Sequence, residues 1–266
     1  MSRSLVLTIV LLAAAAPYLR CWRALVRRRC SRVSAGHLAA FLTALLAIWA
    51  AVASPLAEAD ATALTGHMVQ HLLLMTVAAP LLIRAEPLWV LGGRFRRWLA
   101  LRLLGRRSLL GGWWWQLGPV ICWLAGTGVV LLWHVPRMFE LGMRWHGLQQ
   151  ASFLAAGVLF WLPVIRPWPA RFSWPRWAIP AYLLLATFPC DALSAFLTFC
   201  GRVVYPHYCG TQFQSTAMAL ADQGSAGAMM WFWVTVAYLI PAGAVTLDLL
   251  SPRRGRLAPC RARGPG

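Results

Sequence analysis

Long apolar segments recur along the whole chain and are separated by short polar or basic connections. A helix needs roughly 20 apolar residues to cross the hydrocarbon core of a bilayer, so 266 residues accommodate about seven spans. The pattern predicts spanning helices at about 4–19, 36–54, 64–84, 114–133, 148–166, 177–198 and 225–248. We therefore predict an all-α, polytopic transmembrane helical bundle over residues 1–250 and a basic, disordered cytoplasmic tail over 251–266.

The composition supports the lipid bilayer as the main solvent of this chain. Hydrophobic residues make up 60% of it and charged residues only 12%, about half the share of charge in a soluble domain. The net charge of +18 does not predict nucleic-acid binding, because the basic residues are all arginines that stand in runs between apolar segments. Such runs are typical of the cytoplasmic loops of membrane proteins.

The same arginines predict the orientation in the membrane. The loops after helices 1, 3 and 5 and the C-terminal tail together hold 21 of the 25 arginines. We therefore place the N-terminus outside and the chain in the cell (inner or plasma) membrane as a multi-pass protein. The first segment has features of a signal peptide, but the basic block at 20–32 resists translocation, so we interpret it as a retained helix.

Histidine and methionine concentrate at the predicted outer ends of the helices. His67, His71 and Met75 recur every four residues and therefore share one helix face. His134 closes the next helix on the same side. Imidazole together with thioether suits copper, whereas zinc favours histidine with carboxylate or thiolate. We predict a copper site built from the three histidines, with Met75 or Met230 as a soft ligand. Interfacial hydrogen bonding and packing are the alternative roles of these side chains.

Four further polar residues are candidates for supporting roles. His146 precedes the fifth helix and shares a face with Gln150, so His146 is a further candidate ligand. Asp222 is predicted at the start of the seventh helix, where it would either orient a histidine or cap the helix. Asp191 lies within the sixth helix, where a carboxyl group is costly, so it implies a buried partner or a role with protons or metal.

The predicted outer loop before the seventh helix contains Cys200, His207 and Cys209. The two cysteines predict a disulfide in an oxidising compartment, and Cys209 with His207 predicts a transient copper site as the alternative. The chain has no phosphate-binding glycine loop and no nucleophile elbow, so we do not expect an enzyme.

Several motifs together resemble the CtaG family, the cytochrome c oxidase assembly factors of caa-type oxidases. They are Gly66-His67-Met68-Val69-Gln70-His71-Leu72-Leu73-Leu74 with Ala79-Pro80-Leu81-Leu82, Trp133-His134-Val135-Pro136, Leu154-Ala155-Ala156-Gly157 with Phe160-Trp161-Leu162-Pro163, and Ala221-Asp222-Gln223 with Ala226-Gly227 and Met230-Trp231. The resemblance implies a role in forming the copper centre of oxidase subunit I, with that subunit and copper donor proteins as partners. The family pattern has a second histidine where this chain has Gln150, and an amide is a poor copper ligand.

Two other functions are compatible with these residues. A copper transport or resistance protein would need polar groups that continue across the membrane midplane, and the polar cluster thins inward, with Asp191 as the main exception. A membrane haem-binding protein would need axial ligands from two helices, for example His71 with His134.

Overall fold

The computed structural model describes residues 3–30, 32–54, 57, 62–92, 111–166, 172, 174–208 and 215–251. These residues form helices and connections without any strand, which confirms the all-α prediction. In this described part of the chain, seven helices are long and apolar enough to cross a membrane, and we number them as spans one to seven. Their bounds are Arg3–Arg27, Ala35–Ala53, Leu64–Leu91, Gly111–His134, His146–Ile165, Ala178–Phe199 and Thr216–Leu250. Residues 252–266 of the predicted tail lie outside the described residues.

Several helical segments depart from the sequence prediction: the first span continues to Arg27 and the third to Leu91, past the predicted ends at 19 and 84. The seventh span begins at Thr216, about nine residues earlier than predicted, and Ser215 caps it by accepting a hydrogen bond from the Met218 N–H. The polar residues Asp222 and Gln223 fit within the helix because they bond to other parts of the protein. Asp222 is therefore in the second turn of this helix and not at its start, as we had expected. A short helix at Pro136–Arg144, which we call the connecting helix, joins the fourth span to the fifth and was not predicted.

The main hydrophobic core lies between spans three to seven, and the first two spans pack at its edge. The first span is largely exposed, as a lipid-facing helix would be. It contacts the second span through Tyr18, which stacks on Phe41 with ring centroids 3.8 Å apart. The Tyr18 hydroxyl donates to the carbonyl of Ala85 at 2.8 Å, so it also attaches the first span to the third.

The third span contains an irregular turn directly after its histidines. An α-helix at Leu64–Leu72 continues as a π-helix over Leu73–Ala78 before α-helical geometry returns. π-Helical turns are rare and occur frequently at functional sites. The indole N–H of Trp161 in the fifth span donates to the Met75 carbonyl in this turn at 2.9 Å. The fifth span is therefore bonded to the third beside the predicted copper site.

A glycine permits the close approach of these two spans. A Cβ atom on Gly157 would lie 2.8 Å from the Cα atom of Met75 and 3.0 Å from the Cβ atom of Ala79. Any larger side chain would have to displace backbone rather than a flexible side chain. Gly157 thus lets the fifth span lie directly against the irregular turn, where it helps to form the wall of the site.

Candidate metal centre

The structure brings together three of the predicted site residues: His67, His71 and His134. One potential ligand atom from each imidazole lies within 4.8 Å of the others. The side chains are almost fully buried, with exposed fractions of 0%, 1% and 4%. The first two share a helix face because they are four residues apart, and the third arrives from the last residue of the fourth span. This spacing suits three ligands around one ion.

Hydrogen bonds leave a nitrogen available on two of these rings. His134 Nδ1 lies 2.7 Å from the carbonyl oxygen of Val130, so this nitrogen carries the proton and donates it. Its Nε2 atom is then a lone-pair donor and is buried without a hydrogen-bond partner among the described residues. His71 follows the same pattern, because Nε2 contacts the sulfur of Met68 while Nδ1 is buried and unpartnered in the described structure.

Unpartnered buried nitrogens are costly in a protein core. A buried acceptor without a partner costs roughly 1–3 kcal/mol. A metal ion coordinated by His71 Nδ1 and His134 Nε2 would relieve this cost while the opposite nitrogens keep the ring orientations fixed. The geometry of the cluster therefore fits a metal ion.

Aromatic rings surround the three imidazoles. Phe153 of the fifth span stacks on His71 with ring centroids 5.0 Å apart. Phe139 of the connecting helix contacts His67 edge-on at 4.9 Å and is itself fully buried. Such walls exclude water and lower the local dielectric, which strengthens any electrostatic interaction inside the cluster.

The connecting helix and the segment before the seventh span enclose this cluster together. Phe139 also packs against Tyr205, with centroids 4.3 Å apart. The Tyr205 hydroxyl donates to the backbone carbonyl of His134 at 2.8 Å. Burial raises the pKa of Tyr205 above its ordinary value, so the phenol keeps its proton and remains a donor at physiological pH. This bond fixes the end of the fourth span where it presents its histidine.

Asp222 supports the helix that carries two of the histidines. Its carboxylate accepts a hydrogen bond of 2.7 Å from the backbone N–H of Leu64, the first residue of the third span, and another from the hydroxyl of Thr65. Free N–H groups at a helix start favour an acceptor and a negative charge. Asp222 thus caps the third span rather than its own helix.

Comparison with known proteins identifies the family. The family model for the cytochrome c oxidase caa3 assembly factor matches residues 16–251. The chain belongs to this family. This match confirms the resemblance inferred from the motifs. The family is one of assembly factors and not of catalytic enzymes. No match was found among curated proteins or solved structures.

In this assembly factor the sulfur atom of Met68 lies beside one of the imidazoles. It is fully buried and lies 3.1 Å from His71 Nε2. Sequence reasoning missed this residue because it is adjacent to His67 and off the four-residue spacing. Met75 and Met230 are buried in the core. Met75 stands in the π-helical turn, where the angular spacing of side chains differs from that assumed for one α-helical face. Its role as a ligand stays a prediction, as does that of Met230.

The fifth span contributes Phe153 to the aromatic wall of the centre, whereas its predicted ligand, His146, is not part of the cluster. His146 begins this span and lies outside the three-histidine cluster. Its Nδ1 atom is 3.3 Å from the amide nitrogen of Gln150, one turn further on, so the two predicted residues contact each other. The predicted role of His146 in metal binding is untested.

Gln149 is a buried polar residue that sequence reasoning missed. Its exposed fraction is 1%, and neither atom of its amide has a hydrogen-bond partner among the described residues. The amide occupies the space that a side chain at Gly142 of the connecting helix would fill. A signal was present, because Gln149 is one helical turn before Phe153 and therefore on the face that packs inward.

The remaining predicted residues that the structure describes lie outside the three-histidine cluster. Asp191 is in the sixth span, and its Oδ1 atom is buried without a hydrogen-bond partner among the described residues. Cys200 follows the end of the sixth span, and His207 is exposed on the 3₁₀ turn Pro206–Tyr208. Cys209 lies outside the described residues, so both the disulfide and the copper site predicted for this loop remain predictions.

Proposed function

We propose that this assembly factor holds a copper ion between His67, His71 and His134 and makes it available for the copper centre of cytochrome c oxidase. The observation that carries the proposal is the buried cluster of three imidazoles with ligand atoms within 4.8 Å of one another. Imidazole is a good ligand for copper. Family membership supports a role in assembly of the oxidase, which is the destination of the metal under this proposal.

The chemistry of the donors supports copper over the hard cations. Magnesium and calcium prefer oxygen ligands, and the cluster offers nitrogen. Structural zinc sites in proteins usually combine histidine with thiolates, and catalytic ones add a carboxylate or an open water position. The Met68 sulfur lies behind His71, 3.1 Å from its Nε2 atom, and orients the ring rather than facing the ion. Imidazole suits copper as well as zinc, and the resemblance of the motifs to oxidase assembly factors favours copper.

The position of the cluster indicates where the exchange takes place. His67 and His71 lie in the first two turns of the third span, and His134 is the last residue of the fourth. With the orientation predicted from the arginines, these ends face the outer side of the cell membrane. Copper donor proteins and oxidase subunit I are the proposed partners on that side.

Two alternative functions receive less support from the same contacts. Conduction of copper would need polar groups inward of the cluster, yet buried core residues next along the third span are Leu74, Met75 and Ala78. Axial ligation of haem would need a slot for a macrocycle between imidazoles. The three rings instead stand 5.2–6.0 Å apart, with Phe139 and Phe153 packed against them.

The test combines metal content with oxidase assembly. His67→Ala, His71→Ala and His134→Ala are purified from copper-fed cells, and their copper content is measured beside oxidase activity in a complemented deletion strain. We expect each substitution to lower both the copper content and the oxidase activity, because a three-ligand site loses much of its metal affinity when one ligand is removed. His37→Ala serves as the control and should retain wild-type values, because His37 is at the start of the second span, which is predicted to face the cytoplasm.

Thermal unfolding of each metal-free variant separates loss of copper from loss of structure. Variants that unfold like wild type, retain their copper and restore full oxidase activity would refute the copper proposal. The absorption spectrum of the wild-type protein is recorded in parallel, and a Soret band would show bound haem and favour the haem-binding alternative.

A further inference from the structure

Asp191 places a carboxyl group near the middle of the sixth span. The helix has 22 residues, so Asp191 lies about 12 Å from its nearer end. The hydrocarbon core of a bilayer is about 30 Å thick, so this carboxyl group is inside it whichever way the protein is oriented. An ionisable group at such a depth is costly unless another group pairs with it.

One oxygen of this carboxyl group has no hydrogen-bond partner among the described residues. It is the Oδ1 atom, which is buried. A polar neighbour, Thr187, lies one turn earlier on the same helix. Its hydroxyl has a single hydrogen, which it donates to the carbonyl of Leu184 at 2.9 Å, so this hydrogen is not available to the carboxyl group. The protein therefore leaves Asp191 in need of a hydrogen-bond donor.

The side chains around Asp191 form a stripe along the sixth span that is turned to the surroundings. Leu184 and Phe188 are exposed, and Asp191 and Ala195 are half-buried. These residues recur every three or four positions and therefore lie on one side of the helix, which we call the sixth-span face. Asp191 thus borders a surface that contacts either lipid or another helix.

Pro189 adds another acceptor close to the carboxyl group. Proline has no N–H, so the carbonyl of Leu185, four residues earlier, lacks its usual helical donor. The chains of lipids offer no donor either, so lipid would leave both acceptors unsatisfied. A helix with a polar or basic side chain at this depth would complement the carboxyl group and cover the apolar side chains beside it.

We propose that the sixth-span face docks a transmembrane helix of an oxidase subunit, which brings a hydrogen-bond donor to Asp191 inside the membrane. This inference rests on the proposed function for the identity of the partner, and it adds the surface that the partner uses. Asp191 is not part of the three-histidine cluster, so docking and copper binding can be tested separately.

The first test is photo-cross-linking in cells that also contain the oxidase. A photoreactive phenylalanine analogue replaces Phe188, whose exposed fraction is 67%, or Ile240 of the seventh span, whose exposed fraction of 66% makes it the matched control. We expect the analogue at position 188 to cross-link to an oxidase subunit, identified by mass spectrometry. The analogue at position 240 should give no such product.

The second test asks whether the carboxyl group itself supports the docking. With the photoreactive analogue at position 188, Asp191→Leu should lower the yield of the cross-link by about three- to tenfold, the effect of one hydrogen bond between helices in a membrane. Asp191→Asn should retain most of the yield, because the amide oxygen still accepts a hydrogen bond. Both variants should unfold at the wild-type temperature or above, since an apolar group in place of an unsatisfied one is neutral or stabilising.

Three results would overturn the inference. They are cross-links only to lipid or to a second copy of this chain, equal yields of the oxidase product at positions 188 and 240, and a lower unfolding temperature for Asp191→Leu, which would reveal a partner within the protein. Copper content separates this inference from the proposed function. A protein that retains copper but gives no oxidase cross-link would refute the docking surface alone, whereas a cross-linked protein without copper would refute the copper site alone.

Discussion

The carboxylate of Asp222, in the seventh span, accepts a hydrogen bond of 2.7 Å from the backbone N–H of Leu64, the first residue of the third span. The two residues are 158 positions apart, yet Asp222 does what an N-cap side chain usually does from within its own helix. His67 and His71 stand in the first two turns of the capped helix. The seventh span therefore contributes to the position of two imidazoles through the start of the helix that carries them.

Removal of this cap should weaken both the fold and the metal centre. We expect Asp222→Ala to lower the free energy of unfolding by about 1 kcal/mol, the usual cost of a lost cap, and to lower copper affinity roughly 10–100-fold by releasing the histidine helix. Asp222→Asn should cost less, because the amide oxygen still accepts a hydrogen bond. Thermal unfolding in detergent and a copper titration measure the two effects.

Asp248→Ala is the matched control for that pair of variants. Asp248 is also in the seventh span, and its carboxylate forms an ion pair of 2.8 Å with Arg176 that is largely exposed. Exposed pairs contribute about 0–1 kcal/mol, so this change should leave copper affinity as it is. Equal losses of copper affinity in the Asp222 and Asp248 variants would show that the cap has no special role.

The close contact at Gly157 predicts a strong response to a single added methyl group. A Cβ atom there would lie 2.8 Å from Met75 Cα, so Gly157→Ala must push apart the third and fifth spans. We expect destabilisation of about 1–3 kcal/mol, which is typical of overpacking. Gly128→Ala is the control, because a Cβ atom at Gly128 of the fourth span meets nothing within 4 Å. Similar midpoints of thermal unfolding for both variants would contradict the contact.

The arginine distribution predicts the topology independently of the packing. Reporter fusions after residues 60 and 210 should read outside, and fusions after residues 100 and 255 should read inside, because 21 of the 25 arginines lie in the segments assigned to the cytoplasm. Phosphatase and fluorescent-protein reporters provide the two readouts. The reverse pattern at two or more positions would invert the orientation and move the histidine cluster to the inner side.

The outer cysteines offer a test that requires only intact cells. If Cys200 and Cys209 form a disulfide, a membrane-impermeant thiol reagent should label them only after reduction, and Cys200→Ser should free its partner for labelling without a reductant. We expect the disulfide because the compartment on the outer side is oxidising. Labelling of the wild-type protein without reductant would exclude the bridge and favour the alternative role of Cys209 with His207 in copper exchange.

The parts of the site that were predicted correctly depend on short-range geometry. His67 and His71 were placed on one face because residues four apart on a helix are neighbours, and their ring centroids are indeed only 5.4 Å apart. Where the helix is irregular, such reasoning loses its basis: Met75 follows the same spacing but lies in the π-helical turn. Met68 was missed because only the four-residue spacing was considered, although it is three residues before His71 and such residues are also neighbours on a helix.

The sequence by itself determined the class of this protein, because long apolar segments and the arginine runs between them leave few ways to satisfy backbone and charge in a bilayer. It also determined the pairing of His67 with His71 through local helical geometry. The tertiary structure brings His134 to them, as its place at the end of the fourth helix had led us to expect, and it alone decided that Asp222 caps the third span and that Phe139 and Phe153 pack against the imidazoles. These features depend on how helices far apart in the chain pack side by side, and the periodicity of one helix carries no information about the rotation of its neighbours.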